Sequence, residues 1–184
     1  RLNYGVRFGA YGLTSSATAL IGQTVRDRDH SLFDERSGLN TTPSDYVGRV
    51  HVSMPNFSYT QRARVDPKSF SFRRNEISLN IGPEDMQLST EYVFLSEELS
   101  TENLGRREEL SFFGRAPLSD TWRLTAQSRH DLSDDGGLLL AGVGLIYECD
   151  CMQFSVDFTR QLTSDRDVPR STTITFRLRL RNLG

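Results

Sequence analysis

Apolar and polar side chains alternate with a period of two along nearly the whole chain. The clearest case is TTITFRLRLRNLG at the end. Ile174, Phe176, Leu178 and Leu180 fall on one side, and Thr173, Thr175, Arg177 and Arg179 on the other. MQLSTEYVFL sets Met86, Leu88, Thr90, Tyr92 and Phe94 against Gln87, Ser89 and Glu91. TWRLTAQSRHDL sets Trp122, Leu124 and Ala126 against Arg123, Thr125, Gln127 and Arg129; CMQFSVDFTRQL sets Met152, Phe154, Val156 and Phe158 against Gln153, Ser155, Asp157 and Thr159. A β-strand turns successive side chains to opposite faces, so this alternation predicts two-faced strands and no helix. The expected fold is all-β and antiparallel, with about eleven strands. They are expected near residues 2–12, 17–25, 46–55, 57–65, 69–81, 86–96, 107–116, 121–132, 137–148, 151–162 and 172–181.

The connections alternate in size. LTSS, PN, GPED and LSD are short, whereas RDRDHSLFDERSGLNTTPSD (26–45), EELSTENLGRR (97–107) and TSDRDVPR (163–170) are longer and charged. Two-faced strands of roughly ten residues, with short turns at one end and long polar loops at the other, are the pattern of a transmembrane β-barrel. Aromatic residues near strand ends (Tyr4, Tyr11, Tyr46, Phe57, Tyr59, Tyr92, Trp122 and Tyr147) suit the girdles such barrels place at the membrane interfaces. A soluble β-sandwich also alternates, but it buries its apolar stripes in one core between loops of similar length. It remains an alternative, as does a porin-type channel.

Composition narrows the choice. Hydrophobic residues are 36% of the chain and the mean hydropathy is −0.47. No apolar run reaches the length of about 18 residues that a transmembrane helix needs. The longest, LLLAGVGLIY at 138–147, is short and glycine-rich. The net charge is −2 and Lys68 is the single lysine. The arginines alternate with apolar residues instead of forming a basic patch, so no nucleic-acid partner is expected. Arg62, Arg64, Arg73, Arg123, Arg129, Arg177 and Arg179 are expected on the inward, polar face. A small barrel must fill its interior with packed side chains, so inward arginines suit a wide, wet lumen.

The only cysteines, Cys149 and Cys151, flank Asp150 in YECDCMQF. In an extended strand both sulfurs would point to one face, with Cα atoms about 6.5–7 Å apart, near the upper limit for a bridge. Bonds to cysteines elsewhere, free thiols and a strained mutual bridge all stay open. No histidine or second cysteine pair stands at metal-ligand spacing, and neither a metal nor a cofactor is expected. Catalysis is not expected either. YTQ at 59–61 resembles the opening of the outer-membrane phospholipase motif, but that motif needs a later His-x-Ser pair. Of His30, His51 and His130, only His30 has a serine beside it, in a loop and at the wrong spacing.

Three blocks carry a family resemblance: SGLNTTPSDYVGRVHVS at 37–53, with ALIGQT at 19–24 before it; YECDC at 147–151; and the terminal TFRLRLRNLG at 175–184. Together they resemble the carboxy-terminal part of the barrel of LptD, the lipopolysaccharide-assembly outer-membrane protein, in its alphaproteobacterial form. The resemblance implies a translocon in the outer membrane of a Gram-negative bacterium. It would pass lipopolysaccharide into the outer leaflet through its lumen and a lateral gate between its first and last strands. The gate strand here would carry Thr173, Ile174, Thr175, Phe176, Arg177, Leu178, Arg179 and Leu180. The implied partners are lipopolysaccharide, outer-membrane lipid, an LptE-like plug lipoprotein, and the periplasmic bridge protein LptA through an amino-terminal domain. That domain, the first barrel strands and the family's amino-terminal cysteines would precede this chain. Cys149 and Cys151 would form disulfides with those cysteines, which persist in an oxidising periplasm. The family's best-known members carry adjacent cysteines, whereas Asp150 separates these two. The inward arginines would line a solvated lumen, guide lipid phosphates or contact the plug. Asp27, Asp29, Asp34, Glu35, Asp134 and Asp135 would keep the loops soluble or bind divalent cations that bridge surface lipopolysaccharide.

Overall fold

A computed structural model describes residues 2–26, 43–96, 106–134, 136–163 and 170–181. Its strands are β1 (Leu2–Tyr11), β2 (Ser16–Val25), β3 (Tyr46–Met54), β4 (Phe57–Val65), β5 (Phe72–Ile81), β6 (Gln87–Leu95), β7 (Arg107–Pro117), β8 (Trp122–Asp131), β9 (Gly137–Glu148), β10 (Met152–Gln161) and β11 (Ser171–Leu180). They lie in one antiparallel sheet of 11 strands in chain order. β1 and β11 end that order, so each has a single hydrogen-bonded neighbour, and the sheet does not close on itself.

The expected segments coincide with these strands to within a residue at either end, except at β5. There the alternation of Phe70 and Phe72 predicts a strand from residue 69, but β5 begins at Phe72. The Asp66 carboxylate accepts the Lys68 and Ser69 backbone N–H groups at 2.7 and 2.9 Å, folding the chain into a turn. Phe70 takes a positive φ of 55° within it and stacks on Tyr46 at 6.4 Å. Local carboxylate capping overrides the two-residue pattern.

The chain divides into two compact units, Arg1–Leu79 with Glu91–Glu109 and Asn80–Thr90 with Leu110–Gly184. In the first unit, β1 pairs with β2, β2 with β3 and β3 with β4. Residues directly opposite one another share a face, so the registers define rows across the sheet. Phe8, Ala19, Val50 and Gln61 make one row, and Val6, Ile21, Gly48 and Ala63 the next on the same face. Arg7, Leu20, Arg49 and Arg62 make a row on the opposite face. Tyr11 departs from the girdle expectation, because its register partner Ser16 lies on the polar face and its ring folds over the bare Cα of Gly9.

In the second unit the two faces are cleaner. Leu124, Leu145, Val156 and Phe176 align across β8–β11, flanked by the rows Ala126–Val143–Phe158–Ile174 and Trp122–Tyr147–Phe154–Leu178. On the other face run Arg123–Ile146–Ser155–Arg177 and Thr125–Gly144–Asp157–Thr175. Trp122 and Tyr147 sit beside the turns 118–121 and 149–151, with ring centroids 5.0 Å apart, as an interfacial girdle requires.

Among the described residues no hydrophobic side chain is buried. Phe8 is 65% exposed and Phe176 66%, at the middle of their strands. A sandwich would have removed these stripes from water, at roughly 25 cal/mol for each Å² buried. Here they stay exposed, as the lipid-facing stripes of a membrane barrel do.

Candidate functional site

The polar face of the second unit is built around bare backbone. Gly142 and Gly144 occupy polar-face positions of β9, and side chains from both neighbours lean over them. A Cβ on Gly144 would meet Asp157 Oδ1 at 2.4 Å and Thr125 Oγ1 at 2.5 Å. Thr125, Gln127, Asp157, Thr159, Thr175 and Arg177 thus surround a recess of about 250 Å³. Arg177 stands 3.8 Å from Asp157 and is itself mostly in solvent. Arg179 shares this face opposite Gln153, and Arg129 opposite Leu140. The surface is hydrophilic and of mixed charge, and it can hydrate polar cargo.

At the turn end of the same face, Glu148 accepts from both Arg123 of β8 and Arg181 beyond β11. Arg181 also donates its backbone N–H to the Cys151 carbonyl at 2.9 Å. Beside this acid lies the cysteine pair, and here the sequence geometry needs correction. Neither cysteine is in a strand. Residues 149–151 are the turn between β9 and β10, closed by the Cys149 N–H donating to the Met152 carbonyl at 2.9 Å. The turn folds the side chains together and brings the sulfurs to 2.9 Å, both as free thiols. The contact between the two thiols, with backbone N–H groups at Cys149, lowers the pKa of Cys149 and raises that of Cys151.

The other arginines lie in the first unit. Arg62 and Arg64 share the face of Arg49 and Val47, and Arg62 approaches Glu76 at 3.8 Å. Arg73 has the other parity, because Asn75, two residues on, accepts from Gln61 at 3.0 Å, on the face opposite Arg62. Instead of extending the Arg62–Arg64 stripe, it joins a cluster at the strand ends. There Asp45 meets Arg64 at 2.8 Å and Arg73 at 3.4 Å, and Arg73 also binds Asp66. Asp45 is 2% exposed, and burial raises its carboxyl pKa against the pull of Arg73 and Arg64. The Ser69 and Lys68 backbone donors hold Asp66 at about 2.

Tyr59 donates to Gln61 at 3.0 Å and His51 meets Thr60 at 2.9 Å, so these residues are spent on cross-strand and local pairs. Asp27, Asp29, His30, Ser31, Asp34, Glu35 and Asp135 lie outside the described residues. Among the described residues no three His, Cys, Asp or Glu side chains converge as a metal site. Sequence reasoning missed the two hub acids, Asp45 and Glu148. The available signal was an acid at a strand end, beside arginines of neighbouring strands.

In each unit the described strands set a polar, arginine-bearing face against an apolar face without a buried hydrophobic side chain, the pattern of an outer-membrane β-barrel protein. The family model of LptD, LPS transport system D, matches residues 1–122. The chain belongs to the LptD family, whose work is lipopolysaccharide transport and assembly. No curated protein matches it. The matched segment ends at the first residue of β8, so the cysteine turn and β11 lie beyond it.

Proposed function

We propose that this chain is the carboxy-terminal part of an outer-membrane lipopolysaccharide translocon in a Gram-negative bacterium, and that β11 is one margin of its lateral gate. The observation that carries the reading is the state of β11. It is the last strand in the order, its apolar row Ile174, Phe176, Leu178 and Leu180 is exposed, and its other row is Thr173, Thr175, Arg177 and Arg179. A strand with one apolar and one polar, arginine-bearing face suits an amphiphile that moves sideways past it. Sugars and phosphates stay on the wet face while acyl chains leave past the edge. No covalent chemistry is needed. The lumen side would be the face of Arg62, Arg64, Arg123, Arg129, Arg177 and Arg179, with Arg73 at its rim. An LptE-like plug would sit inside, and a bridge protein of the LptA kind would deliver cargo through an amino-terminal domain. Cys149 and Cys151 would be joined to cysteines of that domain.

The test is a covalent cross-link in the full-length protein between β11 and the first barrel strand. Export of lipopolysaccharide should stop and resume on cleavage of the link. Undiminished export with the link in place would remove β11 from the gate. A porin-type channel would need neither a movable edge nor distant disulfides. Non-reducing electrophoresis of the full-length protein separates the two, since a long-range disulfide shifts its mobility on reduction.

A further inference from the structure

We infer that the apolar face of the first unit carries a lipid site, an amide-rimmed recess that holds one acyl chain of a lipopolysaccharide molecule in the outer leaflet. The site lies on the face opposite the row of Arg49 and Arg62, so it would stand even if β11 were no gate. It rests only on the outer-membrane reading of that apolar face.

Two observations meet there. Tyr59 donates to Gln61 Oε1 and Gln61 Nε2 to Asn75 Oδ1, each at 3.0 Å, so a line of polar groups crosses β4 and β5 on the face of Val50 and Val52. It ends in the Asn75 side-chain N–H groups, which have no partner among the described residues. An unmet amide donor facing hydrocarbon is costly, and polar groups set into such a face mark sites of function. Beside Gln61 the face is hollow. Phe8, Ile21 and Val50 stand around Ala19, Gly48 and Ala63 and leave a recess of about 280 Å³. A Cβ on Gly48 would meet only the Leu20 carbonyl oxygen, at 3.8 Å, so bare backbone forms part of its floor.

Shape and depth select the occupant. An added protein strand pairs at a sheet edge, not on the face of strands already paired. A helix of about 10 Å diameter would span the recess without entering it, whereas a single hydrocarbon chain fits. Gln61 is the middle residue of β4, and Asn75 is the fourth of β5 counted from the turn that joins them. That turn lies at the strand end where the 26–45 connection lies, and the long connections of such barrels face the outside. The amide line therefore sits in the outer half of the apolar band, where lipid chains join their head. Lipopolysaccharide chains carry amide and ester carbonyls and hydroxyl groups at that depth. Those oxygens accept from Asn75, and the alkyl remainder lies in the recess.

The experiment places the photo-cross-linker p-benzoylphenylalanine at Phe8, beside the recess, or at Phe158, on the apolar face of β10. The full-length protein is reconstituted in phosphatidylethanolamine bilayers with a minor share of lipopolysaccharide lacking its O-chain, and captured species are identified by mass spectrometry. The ratio of lipopolysaccharide to phospholipid captured at Phe8 should exceed that at Phe158. Asn75→Leu should lower the Phe8 ratio about fivefold, the worth of about one hydrogen bond. Gly48→Leu fills the floor and should bring the ratio down to that at Phe158. Both changes add apolar volume to an apolar face, and capture at Phe158 in each variant reports a folded barrel. Equal ratios at the two positions would overturn the inference, as would capture of a protein in place of lipid, or ratios that neither substitution changes. No transport is needed for this readout and export is measured separately in cells, so either proposal can fail alone.

Discussion

Gly82 links β5 to β6 with a φ of 102°, and a Cβ there would stand 2.0 Å from the Met86 carbonyl oxygen. Both the backbone conformation and the space require glycine. Gly82→Ala should cost about 2 kcal/mol of stability, read as an earlier midpoint for loss of heat-resistant mobility in detergent. Asp66 makes a different demand, on protons. Its carboxyl is held at about 2, against 3.8 for a free aspartate. The depressed value means stability fully present above about pH 4 and lost as pH falls toward 2. Asp45, raised by burial, has the opposite sign and takes up its proton earlier. Asp66→Asn should therefore flatten the acid limb of a stability–pH curve between about pH 4 and pH 2. An unchanged limb would deny Asp66 that role. Neither residue's part was legible from sequence. Asp66 reads as one acid in VDPKS, and its effect comes from backbone donors that only the folded turn aims at it.

The strands themselves were legible, because a two-residue period survives any rearrangement of what the strands pack against. The faces were legible for the same reason. Arg123, Arg129, Arg177 and Arg179 share one face by register, as alternation within each strand implies. Legibility failed where the chain stops being extended. Residues 69–71 keep the apolar alternation but belong to a turn, and Cys149 and Cys151 have strand spacing but lie in the turn of a hairpin. Arg73 failed for a third reason, since parity along β5 cannot be tied to that of β4 without a cross-strand contact such as Gln61 to Asn75. The two-faced strand also yields a paired test. Phe176→Lys puts a charge on the apolar face at mid-strand and should cost about 2–4 kcal/mol on insertion. Thr175→Lys, one residue away on the wet face, should leave the folded fraction in membranes unchanged. Equal losses from the two would deny the faces their separate environments.

For the molecule as a whole, an unburied apolar face dictates the solvent. The isolated chain should aggregate in detergent-free buffer, yet remain dispersed with a β-type circular dichroism spectrum in zwitterionic micelles. A monodisperse species without detergent would mean that the exposed rows had found one another. The bond between Arg181 and Glu148, which also holds Arg123, has a mechanical meaning at this scale. It clamps the foot of the last strand to the strand two places back, while the Arg177–Asp157 pair further up is long and wet. The last hairpin is thus latched at the end away from its own connecting segment, and loss of Arg181 should let the terminal strand fray from that foot upward.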